Sequence, residues 1–316
     1  MSNSTAATTS PLLPTFAKAD LAFERGEGAW LISTTGERYL DFGSGIAVNA
    51  LGHGHPHLVK ALTEQAQKVW HVSNIYQIPE GVKLAQRLVD ATGLDYAFFA
   101  NSGAEANEGA IKTARKYHAV SGHPEKFRIV TIEGAFHGRT LATLAAGGQQ
   151  KYLDGFGPKA EGFDQVPFGD FDALKKAITP ETAAIMLEPV QGEGGIRAFP
   201  TQSLKKLREL CDRHGIVLIL DEVMAGFGRA GQWLALDAYD VVPDLITFAK
   251  GVNSGYVPVG GVIISDPIAH AFDERVFPGG LTYSGHPLAA ARIVAAQTAM
   301  AEEGVVENAA AIGAYQ

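Results

Sequence analysis

The chain has 316 residues, of which 46% are hydrophobic, and 26 Lys and Arg against 34 Asp and Glu give a net charge of −8. This composition indicates a globular protein with a sizeable core and excludes disorder as the main state. The acid excess argues against nucleic acid and anionic membranes as partners, because both are bound by basic surfaces. With one cysteine, no secretory leader and no apolar run of about 18 residues, the expected location is the cytoplasm.

Short apolar runs alternate with amphipathic stretches along the body of the chain. Residues 1–14, rich in Ser and Thr, are interpreted as a loose polar arm. The apolar runs predict strands at residues 96–100, 128–132, 184–187, 216–220, 245–249 and 261–264. The amphipathic stretches predict helices at residues 57–68, 81–91, 104–118, 171–177, 203–214 and 288–301.

The predicted strands are apolar throughout rather than at alternate positions. Such strands are buried on both faces, and their alternation with helices predicts a doubly wound α/β fold, with a mainly parallel sheet between helical layers. Ligands of such folds bind where strands end and the chain turns toward the next helix. Polar groups follow four of the predicted strands, at Asn101-Ser102-Gly103, Glu188, Asp221-Glu222 and Lys250-Gly251. We therefore expect the chemistry at this edge of the sheet.

The run Ser102-Gly103-Ala104-Glu105 has the pattern of a capping box, with a hydroxyl at the helix N-cap and a carboxylate three residues later. The N–H groups of a helix start attract anions, and Gly103 permits a close approach, so this segment suits a phosphate group. A helix cap with nothing bound is the alternative, and the motif alone does not decide between the two.

Among the residues at the strand ends, Lys250 and Asp221 indicate a function more specifically than the helix cap does. Lys250 follows an apolar strand, so its amine is expected in a partly desolvated place, which lowers the pKa of a lysine and makes it nucleophilic toward carbonyls. An ordinary solvated lysine is the alternative. Asp221 ends an apolar run, where a carboxylate is costly unless it meets a cation or a donor. A phosphate cradle, an amine and a buried carboxylate are together what pyridoxal 5'-phosphate requires.

From about residue 23 onward the sequence resembles the class III aminotransferases, which are fold type I enzymes that use pyridoxal phosphate. Seven segments carry the resemblance, in this order: FERGEGAWLISTTGERYLDFGSGIAVNALGHGHP, NSGAEANEGAIKTAR, GAFHGRTLATL, EPVQGEGG, DEVMAGFGRAG, PDLITFAKG and LTYSGHPLA. The resemblance implies an enzyme that moves amino groups between amino acids and 2-oxo acids.

The family pattern implies roles for four residues around the cofactor ring. Lys250 is expected to form the Schiff base and then to move the proton between the substrate carbon and the cofactor. Asp221 is expected to keep the pyridine nitrogen protonated, so that the ring accepts electrons. Phe136 is expected to stack on one face of the ring, and Val223 to pack on the other.

The same pattern implies how the phosphate is held. Ser102, Gly103 and Ala104 are expected to bind it from one subunit. Thr282 is expected to join them from a second subunit. The resemblance therefore implies that the working unit is a homodimer or a larger homo-oligomer.

Arg139 matches the arginine that binds a substrate carboxylate in the ornithine, acetylornithine and 4-aminobutyrate branches of the family. A guanidinium suits this task because it can form two parallel hydrogen bonds to a carboxylate, although a surface salt bridge is the alternative role. Glu188 and Glu193 match glutamates that shape the substrate pocket, the second usually paired with an arginine of the C-terminal domain. Ile46 stands where ornithine aminotransferases have a tyrosine, which favours a substrate other than free ornithine.

The two parts of the sequence favour different substrates. Up to Val223 the motifs resemble the acetylornithine branch, so we expect amino transfer from N-acetylornithine or a similar ω-amino acid to 2-oxoglutarate. Beyond it, KGVNSGYVPVGG and TYSGHP resemble the ω-amino acid:pyruvate and taurine:pyruvate branch. Met224 also replaces the glutamine that usually touches the ring hydroxyl of the cofactor. An ω-amino acid or taurine aminotransferase that uses pyruvate is therefore the second hypothesis.

The family pattern also predicts the domain organisation. Residues 1–55 are expected to form an N-terminal arm and a small-domain segment, 56–300 the large cofactor-binding domain, and 301–316 the start of a C-terminal small domain. The sequence stops at Gln316, before the second substrate-binding arginine that this last domain usually supplies. A third hypothesis is therefore a cofactor-binding chain with impaired catalysis.

Two other patterns are interpreted as structural. His53, His55 and His57 alternate in a Gly- and Pro-rich loop with no carboxylate or thiolate beside them, which favours a turn over a metal site. Residues 226–231 fit the GxGxxG spacing, but five residues separate them from the preceding strand, whereas a dinucleotide fingerprint follows its strand at once. We therefore expect neither a metal nor a dinucleotide.

Overall fold

The structure is a computed structural model that describes residues 11–315, so most of the predicted polar arm lies outside the described residues. The strands are β1 (Phe23–Glu27), β2 (Trp30–Ser33), β3 (Arg38–Leu40), β4 (Tyr96–Ala100), β5 (Arg128–Ile132), β6 (Phe163–Val166), β7 (Thr182–Leu187), β8 (Val190–Gln191), β9 (Arg197–Ala198), β10 (Val217–Asp221), β11 (Leu245–Phe248) and β12 (Gly260–Ile264). The helices are α1 (Ser44–Ala47), α2 (Pro56–Ala66), α3 (Pro79–Thr92), α4 (Gly103–Val120), α5 (Leu141–Gly147), α6 (Gln150–Leu153), α7 (Phe171–Ala177), α8 (Thr201–His214), α9 (Asp266–Ala269), α10 (Pro287–Glu302) and α11 (Val305–Tyr315). Short 3-10 helices lie at Ala235–Ala238, Lys250–Asn253 and His270–Phe272. Within residues 11–315, no helix combines the length and apolarity needed to cross a membrane.

The predicted elements are all present, and their ends lie within two residues of the predicted positions. One small difference matters for the site. The strand predicted at 216–220 is β10, Val217–Asp221, so Asp221 is the last residue of the strand rather than the first residue after it. Its side chain is therefore positioned by the sheet itself.

Among the strands, three features were not predicted, and the short helices α1, α5, α6 and α9 were not predicted either. Strand β6 reads Phe-Asp-Gln-Val and lies at the outer edge of the main sheet, so its sequence is not apolar throughout. Strands β1, β2 and β3 form a separate antiparallel sheet whose residues are mostly exposed. Strands β8 and β9 are two residues each, too short for a periodic pattern.

The main sheet has seven strands in the order β4-β12-β11-β10-β7-β5-β6. Strand β12 is antiparallel to both of its neighbours, and the other pairings are parallel. The predicted α/β fold with a mainly parallel sheet is therefore confirmed. Because parallel strands end at the same edge, the carboxyl ends of β5, β7, β10 and β11 lie side by side there.

Both faces of the sheet are covered by helices, as the apolar strands indicated. In β10, Leu218 and Leu220 pack into a cluster with residues of α3, α8 and α10. The alternate residues Val217 and Ile219 pack into a second cluster with residues of α4 and α5. Burial of apolar surface, worth roughly 25 cal/mol per Å², therefore stabilises the sheet from both sides and holds the loops at its edge.

The histidine-containing loop attaches the three-stranded sheet to the rest of the protein. His53 Nε2 lies 2.8 Å from Asp41 Oδ2, and the backbone of His53 pairs with that of Gly28. His55 Nε2 lies 2.9 Å from Glu303 Oε1. The expectation that no carboxylate accompanies the three histidines was wrong for His53 and His55, because the fold brings Asp41 to the first and Glu303 to the second. Each of these two histidines contacts a different carboxylate, which gives both a structural role.

Candidate active site

A cavity of about 250 Å³ lies where β7, β10 and β11 end and α4 begins. It is lined by Gly103, Ala104, Asn107, Phe136, His137, Gly138, Arg139, Glu188, Glu193, Asp221, Val223, Met224 and Lys250. Most of the residues predicted from the strand ends and from the family pattern are in this set. Ser102, Thr282 and Ile46 are not.

The three predicted residues outside the lining lie in different places. Ser102 is the N-cap of α4, directly before the lining residue Gly103. Thr282 is exposed, in the loop that precedes α10. Ile46 is 60% exposed and has a φ of 65°, in the left-handed region. Because the structure contains one chain, the contribution of Thr282 to a second subunit stays a prediction.

Asp221 is fixed by three hydrogen bonds at the end of β10. Its Oδ2 accepts from Asn107 Nδ2 at 2.8 Å and from His137 Nδ1 at 2.7 Å. Its Oδ1 accepts from the Val223 N–H at 3.0 Å. The residue is 2% exposed, so these donors supply the compensation that a buried carboxylate needs. The carboxylate therefore has a fixed orientation at the wall of the cavity.

His137 is fully buried beside Asp221. Burial alone would lower the pKa of the imidazole, but the hydrogen bond and the negative charge of Asp221 outweigh burial, so the pKa of His137 is raised. Asn107 Nδ2 also donates to the His137 carbonyl at 2.7 Å, which ties the loop before α5 to helix α4. Asn107, His137 and Asp221 thus form one hydrogen-bonded network.

Lys250 reaches the cavity from the turn after β11. It has a φ of 46°, a left-handed conformation that is strained for a residue with a side chain and is typical of functional sites. Burial lowers the pKa of its amine, although the carboxylates of Asp221 and Glu188 act in the opposite direction. The amine makes no hydrogen bond or ion pair with any residue that the structure describes. It is therefore available to a ligand.

The start of α4 presents free N–H groups to the cavity. Ser102 Oγ accepts from the Glu105 N–H at 3.2 Å, as a capping box predicts. The other half of the predicted box was wrong, because Glu105 Oε2 accepts from the N–H of Asn101, at 2.7 Å, instead of that of Ser102. The N–H groups of Gly103 and Ala104 have no acceptor among the described residues. A Cβ at Gly103 would lie 2.7 Å from Val223 Cγ1, so only glycine fits without displacing that side chain.

Glu188 joins two loops at the cavity. Its Oε1 accepts from the Phe136 N–H at 2.9 Å, and its Oε2 accepts from the Gly192 N–H at 3.3 Å. Burial, with a further contribution from the charge of Asp221, raises the pKa of Glu188 to about 7. The predicted pocket-shaping residue therefore positions the backbone of Phe136 as well as lining the cavity.

Arg139 and Glu193 bring opposite charges to the cavity wall. The side chain of Arg139 is exposed, and its guanidinium makes no hydrogen bond or ion pair within residues 11–315. Its guanidinium carbon lies 4.3 Å from the ring centroid of Tyr152 and 5.5 Å from that of Phe136. Glu193 likewise makes no hydrogen bond or ion pair in this part of the chain. Both groups are therefore free to act on a bound molecule.

Three lining residues, Asn107, His137 and Gly138, were not predicted from the sequence. Asn107 lies one turn into α4, on its buried face, and only its distant contact with Asp221 reveals a role. His137 is part of the motif that contains Arg139, and a histidine directly after the predicted site residue Phe136 was a sequence signal that could have been used. Met224, at which the sequence departs from the family pattern, lies at the cavity wall. It packs against Gly192, since a Cβ atom added at that glycine would lie only 1.8 Å from Met224 Sδ.

Comparisons with known proteins agree with one another. Residues 15–316 match the family model of the class-III aminotransferases. An acetylornithine aminotransferase from Mesorhizobium japonicum is 61% identical over 299 residues, which cover 95% of this chain and 74% of that protein. A thermostable (S)-enantioselective omega-transaminase from Thermomicrobium roseum has a TM-score of 0.92 at 38% identity, over 97% of this chain and 76% of that one. An amine transaminase from an uncultivated Pseudomonas species, solved with PLP bound, has a TM-score of 0.89 at 30% identity, over 98% of this chain and 78% of that one.

The chain belongs to the class III aminotransferases. Its fold is that of the fold type I pyridoxal-phosphate transferases, as the sequence indicated. It is therefore a transaminase, whose substrates are amino acids and oxo acids, and membership of the family implies pyridoxal phosphate as cofactor.

Proposed function

We propose that this chain transfers the amino group of N-acetylornithine, or of a similar ω-amino acid, to 2-oxoglutarate, with pyridoxal phosphate held in the cavity at the sheet edge. One observation carries the proposal: an amine, a buried carboxylate, free helix-start N–H groups and an unpaired guanidinium meet in one cavity of about 250 Å³. The 61% identity to an acetylornithine aminotransferase supports this choice of donor.

The residues around the cavity fit pyridoxal phosphate. The N–H groups of Gly103 and Ala104, which lack protein acceptors, suit its phosphate. Asp221 would keep a proton on its ring nitrogen, and Lys250 is the amine that would hold it covalently. When bound, the cofactor supplies an electron sink for the negative charge left on the substrate carbon. Phe136 and Val223 line the same cavity and would pack on the two faces of the cofactor ring.

Lys250 would move the proton in this reaction. Its lowered pKa raises the fraction of neutral amine near neutral pH, and a neutral amine can accept a proton from the substrate carbon and return it. The absence of a fixed partner among the described residues leaves the side chain free to change position. Asp221, by contrast, keeps its charge in one place through three hydrogen bonds.

Arg139 would bind the substrate carboxylate. Its N–H donors are unpaired in the described chain, and a guanidinium can form two parallel hydrogen bonds to a carboxylate. Glu193 brings a negative charge to the same cavity and would repel a carboxylate until it is paired. Ile46 would border the substrate from outside the cavity lining, where its apolar side chain favours an acylated donor over the charged α-amine of free ornithine.

We further infer that two copies of the chain associate and that Thr282 of each copy contributes to the phosphate site of the other. Thr282 is exposed and makes no hydrogen bond with any of residues 11–315. Large apolar side chains close to it in sequence are also exposed, with Val276 at 94% and Tyr283 at 55%. Exposed apolar groups of this kind are typical of surfaces that another protein covers.

The assignment of Lys250 can be tested by chemical trapping. Protein incubated with pyridoxal phosphate is expected to gain a visible chromophore and, after borohydride reduction and proteolysis, to carry the pyridoxyl group on the peptide that contains Lys250. The variant Lys250→Ala should lose the adduct, whereas Lys159→Ala, at a lysine outside the cavity lining, should keep it. Recovery of the group on another lysine would contradict the assignment.

The substrate is tested by profiling. N-acetylornithine, ornithine, 4-aminobutyrate and taurine are each offered with 2-oxoglutarate and with pyruvate. The second candidate function, an ω-amino acid or taurine aminotransferase that uses pyruvate, is favoured by Met224 at the cavity wall and by the likeness to an omega-transaminase. Fastest turnover with pyruvate would replace the first proposal by the second, and sustained turnover with any pair would exclude impaired catalysis.

A further inference from the structure

Tyr152 lies beside the cavity and has no role in the proposed reaction so far. Its ring centroid is 4.3 Å from the guanidinium carbon of Arg139, within the distance of about 6 Å at which a ring face attracts a cation. Phe136 approaches the same guanidinium, with 5.5 Å to its ring centroid. The two rings contact each other edge to face, with their centroids 6.0 Å apart. Arg139 is therefore held by two aromatic rings.

The backbone fixes Tyr152 relative to this cluster. Tyr152 is in the short helix α6, and its N–H donates to the Gln149 carbonyl at 2.9 Å. Gln149 Nε2 in turn donates to the Ala135 carbonyl at 2.7 Å, directly before Phe136. Helix α6 and the loop that carries Phe136 and Arg139 are thus joined, so the ring and the guanidinium keep their relative positions.

We propose that Tyr152 is a positioning residue for the substrate carboxylate, because its ring holds the Arg139 guanidinium in place and leaves its N–H donors free. A carboxylate partner would also fix Arg139, but it would occupy those donors and cancel the charge that a substrate needs. A ring face attracts the cation and takes none of its five N–H donors. This inference rests on the proposed function, in which Arg139 binds the substrate carboxylate.

The hydroxyl of Tyr152 accepts and donates no hydrogen bond within the described residues, so the proposal concerns the ring alone. Lys151 Nζ lies 4.6 Å from the centroid of the same ring. This second cation adds positive charge next to Arg139, which favours anionic substrates further. Removal of the ring would leave two neighbouring cations without the group that holds them.

The experiment compares two donors that differ only in the carboxylate: N-acetylornithine and N-acetylputrescine. For Tyr152→Leu we expect kcat/KM with N-acetylornithine to fall roughly 2- to 6-fold, the range for a cation and a ring at an exposed site. The loss should appear mainly as a higher KM. With N-acetylputrescine no change is expected. Tyr152→Phe keeps the ring and should behave as the wild type with both donors.

A double-mutant cycle with Arg139→Gln shows whether the ring acts through Arg139. If it does, adding Tyr152→Leu to Arg139→Gln should cause no further loss with N-acetylornithine, because the group that the ring positions is already absent. Equal losses from Tyr152→Leu in both backgrounds would overturn the proposal. An equal loss with both donors would also overturn it, since a merely structural role does not distinguish them.

A series of fluorinated phenylalanines at position 152 covers the case in which Tyr152→Leu does not fold. Fluorine weakens the negative face of the ring with little change in its size. We expect KM for N-acetylornithine to rise stepwise with fluorine number and KM for N-acetylputrescine to stay constant; a flat series overturns the proposal. If Arg139→Gln itself leaves N-acetylornithine kinetics unchanged, the carboxylate site of the proposed function fails, and this inference fails with it. A normal effect of Arg139→Gln with a flat series removes this inference alone.

Discussion

Glu222, the residue after the Asp221 strand end, should make the stability of the fold depend on pH. Its side chain is fully buried, and its two oxygens accept from the N–H groups of Leu236, at 2.7 Å, and Ala235, at 3.1 Å. Burial raises the pKa of its carboxyl from the usual 4.5 to about 7, although these two N–H groups act in the opposite direction. The change Glu222→Gln keeps the shape of the side chain and removes its titratable carboxyl group.

The sign and size of the effect follow from these values. Between pH 4.5 and 7 the folded chain keeps the Glu222 proton while the unfolded chain releases it. The folded state binds more protons in this window, so the free energy of unfolding decreases as the pH rises, and the stabilisation present below pH 4.5 is lost above 7. Because a pKa difference of one corresponds to about 1.4 kcal/mol, the loss amounts to about 3 kcal/mol.

Urea denaturation of the cofactor-free protein at a series of pH values measures this effect. The stability advantage of the wild type over Glu222→Gln is expected to shrink by about 3 kcal/mol between pH 4.5 and 8. A neutral amide also places an NH₂ against one of the two N–H donors, but that cost is the same at every pH. Glu64→Gln, at an exposed glutamate, controls for the loss of a surface charge. Parallel curves for the wild type and Glu222→Gln would refute the reasoning.

Two further changes test the site. Asp221→Asn should slow amino transfer on the order of a hundredfold or more, because a neutral amide loses a charge-assisted interaction of a few kcal/mol; near-normal single-turnover traces would contradict its role. The same change should lower the pKa of His137, which NMR of the imidazole can follow. Thr282→Val should weaken cofactor retention, and dilution should release cofactor as subunits part. If the protein sediments as a monomer and still retains cofactor tightly, Thr282 does not contribute to the phosphate site of a second subunit.

The main sheet could be predicted because strands buried on both faces show a pattern that needs no knowledge of their neighbours. In β7 every residue is buried, and the sequence is apolar after its first threonine. Strand β6 has one neighbour, and its central Asp164 and Gln165 are half-buried, so the apolar pattern is interrupted. Whether such a segment forms an edge strand depends on the strand with which it pairs, and a single sequence does not show which strands pair.

The site residues at or just after the carboxyl ends of strands could be predicted for a related reason. Once the strands are known to be parallel, Glu188, Asp221 and Lys250 must come to the same edge. Asn107 and His137 could not be found in this way, because they contact Asp221 across 114 and 84 residues of sequence. Their roles depend on which helix packs behind the strand, and local sequence does not specify that.

The hydrogen bonds divide the charged groups around the cavity into two kinds. Asp221 and Glu188 accept hydrogen bonds from protein donors on both of their oxygens, which fixes these oxygens in space and offsets part of the cost of burying them. Lys250 and Arg139 make no hydrogen bond or ion pair in the described chain, so a ligand can bind them without breaking an existing hydrogen bond or ion pair. A fixed carboxylate and an uncommitted cation are both needed, because a catalytic site must hold its charges ready without neutralising them. An aromatic ring at Arg139 meets both demands at once, since it restrains the cation and leaves its donors and charge to the substrate.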